Sequence, residues 1–185
     1  GPVLVVNGDA FISMDLGSFI RRHASVGASA SMAVAPPVPG AGFRAVESDD
    51  SCAVVRIRGI GENRPGLLPW HFLGVHVVTD DVFEAIPHEG PRDSNGEVYP
   101  AMIAAGKRIQ ALPVPVGAWA DLGTPRRYYG ACLELISGCT DLSALGGASP
   151  LNYGRILRCG DTPDLPVQPP SFVGEEAVVG SGVQL

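Results

Sequence analysis

Val3-Leu4-Val5-Val6 is an unbroken apolar run that breaks into Asn7-Gly8-Asp9, as a strand covered on both faces does where it is released into a turn. Asp15 can then cap a helix in which Leu16, Phe19 and Ile20 recur at helical spacing and continue to His23, with Gly27 as its stop. Ala28 to Ala35 reads as a strand of small residues closed by Pro36-Pro37. The β-prone stretches 42–47 and 52–58 enclose the turn material Glu47-Ser48-Asp49-Asp50-Ser51, which predicts a hairpin. Trp70 to Val78 predicts another strand, and Thr79 caps a short helix through Ile86. Val98 to Ala105 predicts a helix stopped at Gly106, and Lys107 to Leu112 a strand. Strands interleaved with helices imply an α/β domain with a mainly parallel, helix-covered, Rossmann-like sheet.

The pattern then tightens in Gly117-Ala118-Trp119-Ala120-Asp121-Leu122-Gly123-Thr124-Pro125. Val114 and Val116 flank Pro115 before it, as at the edge of a sheet. Thr124 at the N-cap and Pro125 at the first helical position open a helix. Its apolar stripe is Tyr128, Tyr129, Cys132, Leu133, Leu135 and Ile136, and Gly138 stands where a terminating glycine belongs. Asp121 thus lies three residues ahead of a helix, and Asp9 lies just past a strand end. Ligands of open α/β sheets bind outside the carboxyl ends of strands, so two carboxylates delivered there can share one hard cation, with Mg²⁺ the natural candidate. The plainer reading, in which each Asp only caps a turn, stays open at this point.

Val-Leu-Val-Val-Asn-Gly-Asp, followed about a hundred residues later by Trp-Ala-Asp-Leu-Gly-Thr-Pro, resembles the sugar-phosphate nucleotidyltransferases, which include mannose-1-phosphate guanylyltransferases and other NDP-sugar pyrophosphorylases. Phe72-Leu73-Gly74-Val75-His76-Val77 is similar to the family's central strand, and the segment from Glu97 to Lys107 to its following helix and turn. The resemblance covers residues 3–138 and implies an enzyme that joins a sugar 1-phosphate to a nucleoside triphosphate, giving an NDP-sugar and pyrophosphate. Asp9 and Asp121 would be its catalytic, metal-binding pair. Asn7, Gly8, Gly74 and Trp119 would lie against substrate. The family's Glu-Lys-Pro element is replaced by Glu62-Asn63-Arg64-Pro65, with Arg64 as the substitute phosphate cation. Gly74 also suits a bulge, Trp119 also suits a core, and His71 and His76 are expected to serve packing.

The family's glycine-rich triphosphate loop has no counterpart here, so the resemblance implies an N-terminally incomplete catalytic domain that does not turn over alone. A sheet without its first strands would expose an edge and favour self-association. Two other functions compete: a non-catalytic relative serving assembly or regulation, and a metal-dependent glycosyltransferase. The latter usually carries Asp-x-Asp, whereas Asn7-Gly8-Asp9 offers one carboxylate.

Composition agrees with a globular enzyme. The 185 residues are 45% hydrophobic and 17% charged, with 13 basic against 19 acidic side chains for a net charge of −6. With no basic run longer than a pair, nucleic acid is not an expected partner. No apolar stretch reaches the roughly 18 residues that a spanning helix needs, and the cytoplasm is the expected location. Cys52, Cys132, Cys139 and Cys159 lack C-x-x-C spacing and are expected to be reduced, without zinc.

Beyond Gly138 periodicity fades, and 139–170 reads as a connector with one short strand at Ile156-Leu157. Val173, Val179 and Leu185 then recur at intervals of six, the first two followed by glycine, which is similar to the start of a hexapeptide-repeat left-handed β-helix over 171–185. The expected order is therefore a partial catalytic domain over 1–138, the connector, and that β-helix start. The base, the sugar and the homo-oligomeric state are left open.

Overall fold

The computed structural model describes residues 1–37, 45–115, 118–137, 154–157, 171–174 and 177–178. Its elements begin with β1 (Val3–Val6), β2 (Ala10–Ser13), α1 (Leu16–Val26), β3 (Ala30–Ala35), β4 (Val46–Ser48), β5 (Val54–Ile57) and β6 (Ile60–Gly61). They continue with β7 (Leu68–Val78), α2 (Asp80–Ala85), a π-helical turn (Ser94–Val98), α3 (Tyr99–Ala104) and β8 (Ile109–Pro113). The remaining elements are β9 (Ala118–Asp121), α4 (Pro125–Ile136), β10 (Gly154–Leu157) and β11 (Ser171–Gly174). They divide into two compact units, Gly1–Gly8 with Met14–Val116, and Asp9–Ser13 with Gly117–Leu185.

The first unit is a seven-stranded mixed sheet organised on β7. His76, Val77 and Val78 pair on one edge with Val5, Leu4 and Val3 of β1, and on the other with Met32, Ser31 and Ala30 of β3, both antiparallel. Strand β8 runs parallel to β3. Strands β1, β3 and β8 therefore point the same way, as an α/β sheet requires, and β7 is reversed among them. Hydrophobic periodicity carries no information on direction, so this reversal is invisible in the pattern. The expected hairpin is β4 with β5, extended by a further antiparallel pair with β6 and joined to β7 through Val46–Ser48.

Register along β3 and β7 jumps from Met32 opposite His76 to Val34 opposite Phe72. Gly74 lies inside that bulge with φ +80, a conformation that costs any other residue strain. The core gathers Met32, Val34, Val46, Ile57, Tyr99 and Ile109, each no more than 2% exposed. Tyr99 comes from the segment where the expected helix is split. The Asp93 carboxylate accepts the N–H groups of Asn95 and Gly96, which starts the π-helical turn, and α3 continues from it before Gly106 at φ +78.

Helix α1 starts where Asp15 accepts the Ser18 N–H at 2.9 Å and stops at left-handed Gly27. It buries Phe19 and His23, while Leu16 and Ile20 of the expected stripe remain exposed. Thr79 heads α2, although its hydroxyl donates to the Ser29 carbonyl instead of serving as a cap acceptor. No helix among the described residues is long and apolar enough to cross a membrane.

In the second unit β2 pairs antiparallel with β9, and β10 with β11. The short strand expected near Ile156-Leu157 is β10. Val173 of the six-residue spacing lies in β11, while Val179 and Leu185 fall outside the described residues, as do Gly117, Gly138, Cys139, Cys159 and most of the connector. Helix α4 departs from its expected stripe: Ala131 is buried, and Tyr128 and Tyr129 are 58% and 65% exposed.

Candidate metal and phosphate site

Asp9 and Asp121, 112 positions apart in the chain, meet on the ribbon formed by β2 and β9. Ala10 stands opposite Asp121, and the Leu122 N–H donates to the Asp9 carbonyl at 2.7 Å, which carries the pairing one step further. The strand that carries Asp121 pairs only with β2 among the described strands, in a ribbon that the sequence pattern does not predict. Alternation could not show this, because four-residue strands such as Ala10–Ser13 fall below the length at which a period is readable.

Gly123 measures how closely the carboxylates approach. A Cβ placed on it would lie 3.0 Å from Asp121 Oδ1 and 3.2 Å from Asp9 Oδ2. The two oxygens are therefore no further apart than the sum of those distances, and the space between them stays open because residue 123 carries no side chain. The Gly123 N–H donates to Asp121 Oδ1 at 2.8 Å, and Arg127 Nη1 meets Asp121 Oδ2 at 2.9 Å. Arg127 is aimed there by the start of α4, where the Thr124 hydroxyl accepts the Arg127 N–H at 3.3 Å. The Asp9 side chain is exposed and forms no hydrogen bond or ion pair among the described residues. Sequence reasoning missed Arg127; its place three residues past the Thr124 cap is the signal that points it back toward Asp121.

These donors suit a hard divalent cation: one carboxylate from β9 and one from the turn just before β2, each with an oxygen within 3.2 Å of the position a Cβ on Gly123 would take. Among the described residues no group of three or more His, Cys, Asp or Glu could hold a metal. Two protein carboxylates with the remaining positions left to water and phosphate is the ordinary arrangement for Mg²⁺ beside a phosphate substrate.

The other residues singled out in the sequence divide between the units. Trp119 belongs to the ribbon, half-buried opposite Ile12. Asn7, Gly8, Gly74 and Arg64 belong to the first unit. The Asn7 N–H donates to the Gly74 carbonyl at 2.8 Å, joining two of them, and a Cβ on Gly8 would meet nothing within 4 Å. Arg64 forms long ion pairs of 3.7 Å with Asp49 and with Glu62. The Asp49 carboxyl is held below its ordinary range first by the Ser51 hydroxyl, with Arg64 contributing least. His23, His71 and His76 are buried, in keeping with packing roles. His23 Nδ1 lies 2.9 Å from the Ser31 hydroxyl, His76 shares a hydrogen bond with the Tyr99 hydroxyl, and burial lowers the His76 pKa to about 4.

Comparison with known proteins adds an independent line. The family model described as nucleotidyl transferase matches residues 1–138. A glucose-1-phosphate adenylyltransferase of Fervidobacterium nodosum is 27% identical over 142 residues, covering 72% of this chain and 33% of that protein. A mannose-1-phosphate guanylyltransferase of Mycobacterium tuberculosis is 26% identical over 191 residues, covering 98% and 50% respectively. A UTP–glucose-1-phosphate uridylyltransferase of Synechocystis is 21% identical over 187 residues, covering 98% and 48%. The chain thus spans between a third and a half of these curated relatives. The crystal structure of HddC from Yersinia pseudotuberculosis shares the fold, with a TM-score of 0.55 at 19% identity over 72% of this chain and 55% of that one.

Proposed function

The chain belongs to the nucleotidyl transferase family, and from that premise we propose that the protein transfers a nucleotidyl group to a sugar 1-phosphate, with Asp9 and Asp121 as its metal-binding pair. One observation carries the proposal: the two carboxylates converge on the opening above Gly123. An oxygen of the sugar phosphate forms a bond to the α-phosphorus of a nucleoside triphosphate, the bond from that phosphorus to the β-bridging oxygen breaks, and pyrophosphate leaves. The attacking oxygen is already ionised at neutral pH, so alignment and charge supply the catalysis, and no side chain needs to act as a base.

Asp9 and Asp121 would hold Mg²⁺, which when bound supplies positive charge to the phosphate oxygens. The Gly123 N–H fixes the Asp121 carboxylate on one oxygen and Arg127 fixes it on the other. The proposal extends to Asn7, Gly8, Gly74 and Trp119 as substrate contacts, and to Arg64 as a phosphate cation. The long ion pairs of Arg64 leave its guanidinium free to exchange partners. The proposal keeps the cytoplasm, a reducing setting, as the protein's location.

The test is pyrophosphate release by the intact gene product, assayed over a panel of sugar 1-phosphates and triphosphates. Asp9→Asn and Asp121→Asn should each lower kcat/KM by at least about 100-fold with an unchanged melting temperature. Full activity in either variant would refute the assignment.

A further inference from the structure

Resting on that reading, we propose that Arg127 is a resident counter-cation of the carboxylate pair, one that holds Asp121 in place, repels a bare divalent cation and attracts the same cation once it is complexed with phosphates. Its position is the first argument. Arg127 sits in the first turn of α4, a turn without an acidic residue, in which Arg126 precedes it. The N-terminus of a helix carries partial positive charge and favours anions, so a guanidinium there is electrostatically misplaced as far as the helix is concerned. Its contact with Asp121 Oδ2 at 2.9 Å accounts for the placement.

Structural stabilisation is a weak alternative. The Arg127 and Asp121 side chains are 45% and 26% exposed, and pairs that meet water to this extent contribute little to folding. Charge is where Arg127 has leverage. Asp9 and Asp121 carry two formal negative charges, and Arg127 offsets one of them. A bare dication therefore meets a site with a net charge of one instead of two. A dication already bound to a polyphosphate is a net anion, and for it the guanidinium is attractive. Removing the positive charge should thus move the two affinities in opposite directions, which a residue that only props up the site cannot do.

The experiment measures Mn²⁺ alone and Mn²⁺–tripolyphosphate binding to the full-length protein, as wild type, Arg127→Gln, Arg127→Lys and Asp121→Asn. Arg127→Gln should bind Mn²⁺ alone about three- to tenfold more tightly and Mn²⁺–tripolyphosphate more weakly by a similar factor, both effects shrinking as salt is raised. Arg127→Lys, which keeps the charge, should stay near wild type for both. If Arg127→Gln shifts both affinities the same way, or neither, the role given to Arg127 is overturned, while loss of Mn²⁺ in Asp121→Asn still upholds the metal pair. If Asp121→Asn binds Mn²⁺ as wild type does, or if neither wild type nor Arg127→Gln binds it, the functional reading falls and this inference with it.

Discussion

Strand β7 and the β2/β9 ribbon differ in how their side chains meet water. From Leu73 to Val78 every residue of β7 is buried, whereas in the ribbon Phe11, Ile12, Trp119, Ala120 and Asp121 are half-buried and Ser13 is buried. An ionised carboxylate deep in the sheet would lose its hydration without recompense, so a pair that must meet a cation and phosphates cannot be housed there. A ribbon of four paired residues is marginal by itself, yet it keeps two acidic groups adjacent and wet. The lesson is a division of labour: sheet substitutions should change stability, and ribbon substitutions should change chemistry at little cost in stability.

The largest test of that division is Tyr99→Ala. Tyr99 is fully buried and shares a hydrogen bond with His76, so truncation leaves a cavity and deprives the histidine of its partner. Unfolding free energy in urea should fall by about 3–5 kcal/mol, a large part of what holds a typical domain. A loss near zero would mean that β7 is not the mechanical centre assigned to it.

Acid should act on the same region through His76. Its pKa is lowered from 6.5 to about 4 by burial, so the unfolded chain binds the proton more readily than the folded one. The stabilisation from keeping His76 neutral is fully present above 6.5 and drains away as pH falls toward 4. At most it is worth roughly 3 kcal/mol. His76→Gln should flatten the melting temperature against pH across that window; an unchanged slope would remove His76 as its cause.

The same contrast explains what was legible in the sequence. Core strands and helices announce themselves by apolar runs, as in Ala30–Ala35, or by caps such as Asp15 and Gly27, whereas the run Val3–Val6 forms its strand but leaves Val3 and Val6 exposed instead of covered on both faces. The ribbon has no such signature, and Asp9 and Asp121 are picked out by a strand end and a helix start, and then by the resemblance to a family motif, instead of by any period. The β5–β6 hairpin was hidden for another reason. Its tip is Arg58-Gly59 with both φ values positive, and arginine at the first position defies the Asn, Asp or Gly expected of that turn. Arg58 is ion-paired with Asp93, 35 residues away, a contact that no local pattern reports. Arg127 was missed for a similar reason, since its role appears only when a helix start and a strand end are seen together.

Gly123→Ala sharpens the comparison from the ribbon side and has the smallest expected effect on stability. The backbone of Gly123 lies outside the left-handed region, so alanine imposes no strain on the main chain, and its Cβ would encounter only the ends of the two carboxylate side chains, at 3.0 and 3.2 Å. Asp9 has no hydrogen bond to lose and can swing away, and Asp121 need yield only by a few tenths of an ångström, so unfolding free energy should change by no more than about 0.5 kcal/mol, with a small gain available from a less flexible unfolded chain. Swinging away is what the site cannot tolerate, because the methyl fills the gap toward which both oxygens are directed. Mn²⁺ affinity, read by titration calorimetry, should therefore weaken by about tenfold, or roughly 1.4 kcal/mol, while the melting temperature stays where it was. A variant that binds Mn²⁺ as wild type does would show that the convergence of Asp9 and Asp121 at this gap is geometric coincidence and that the chemistry must be sought elsewhere.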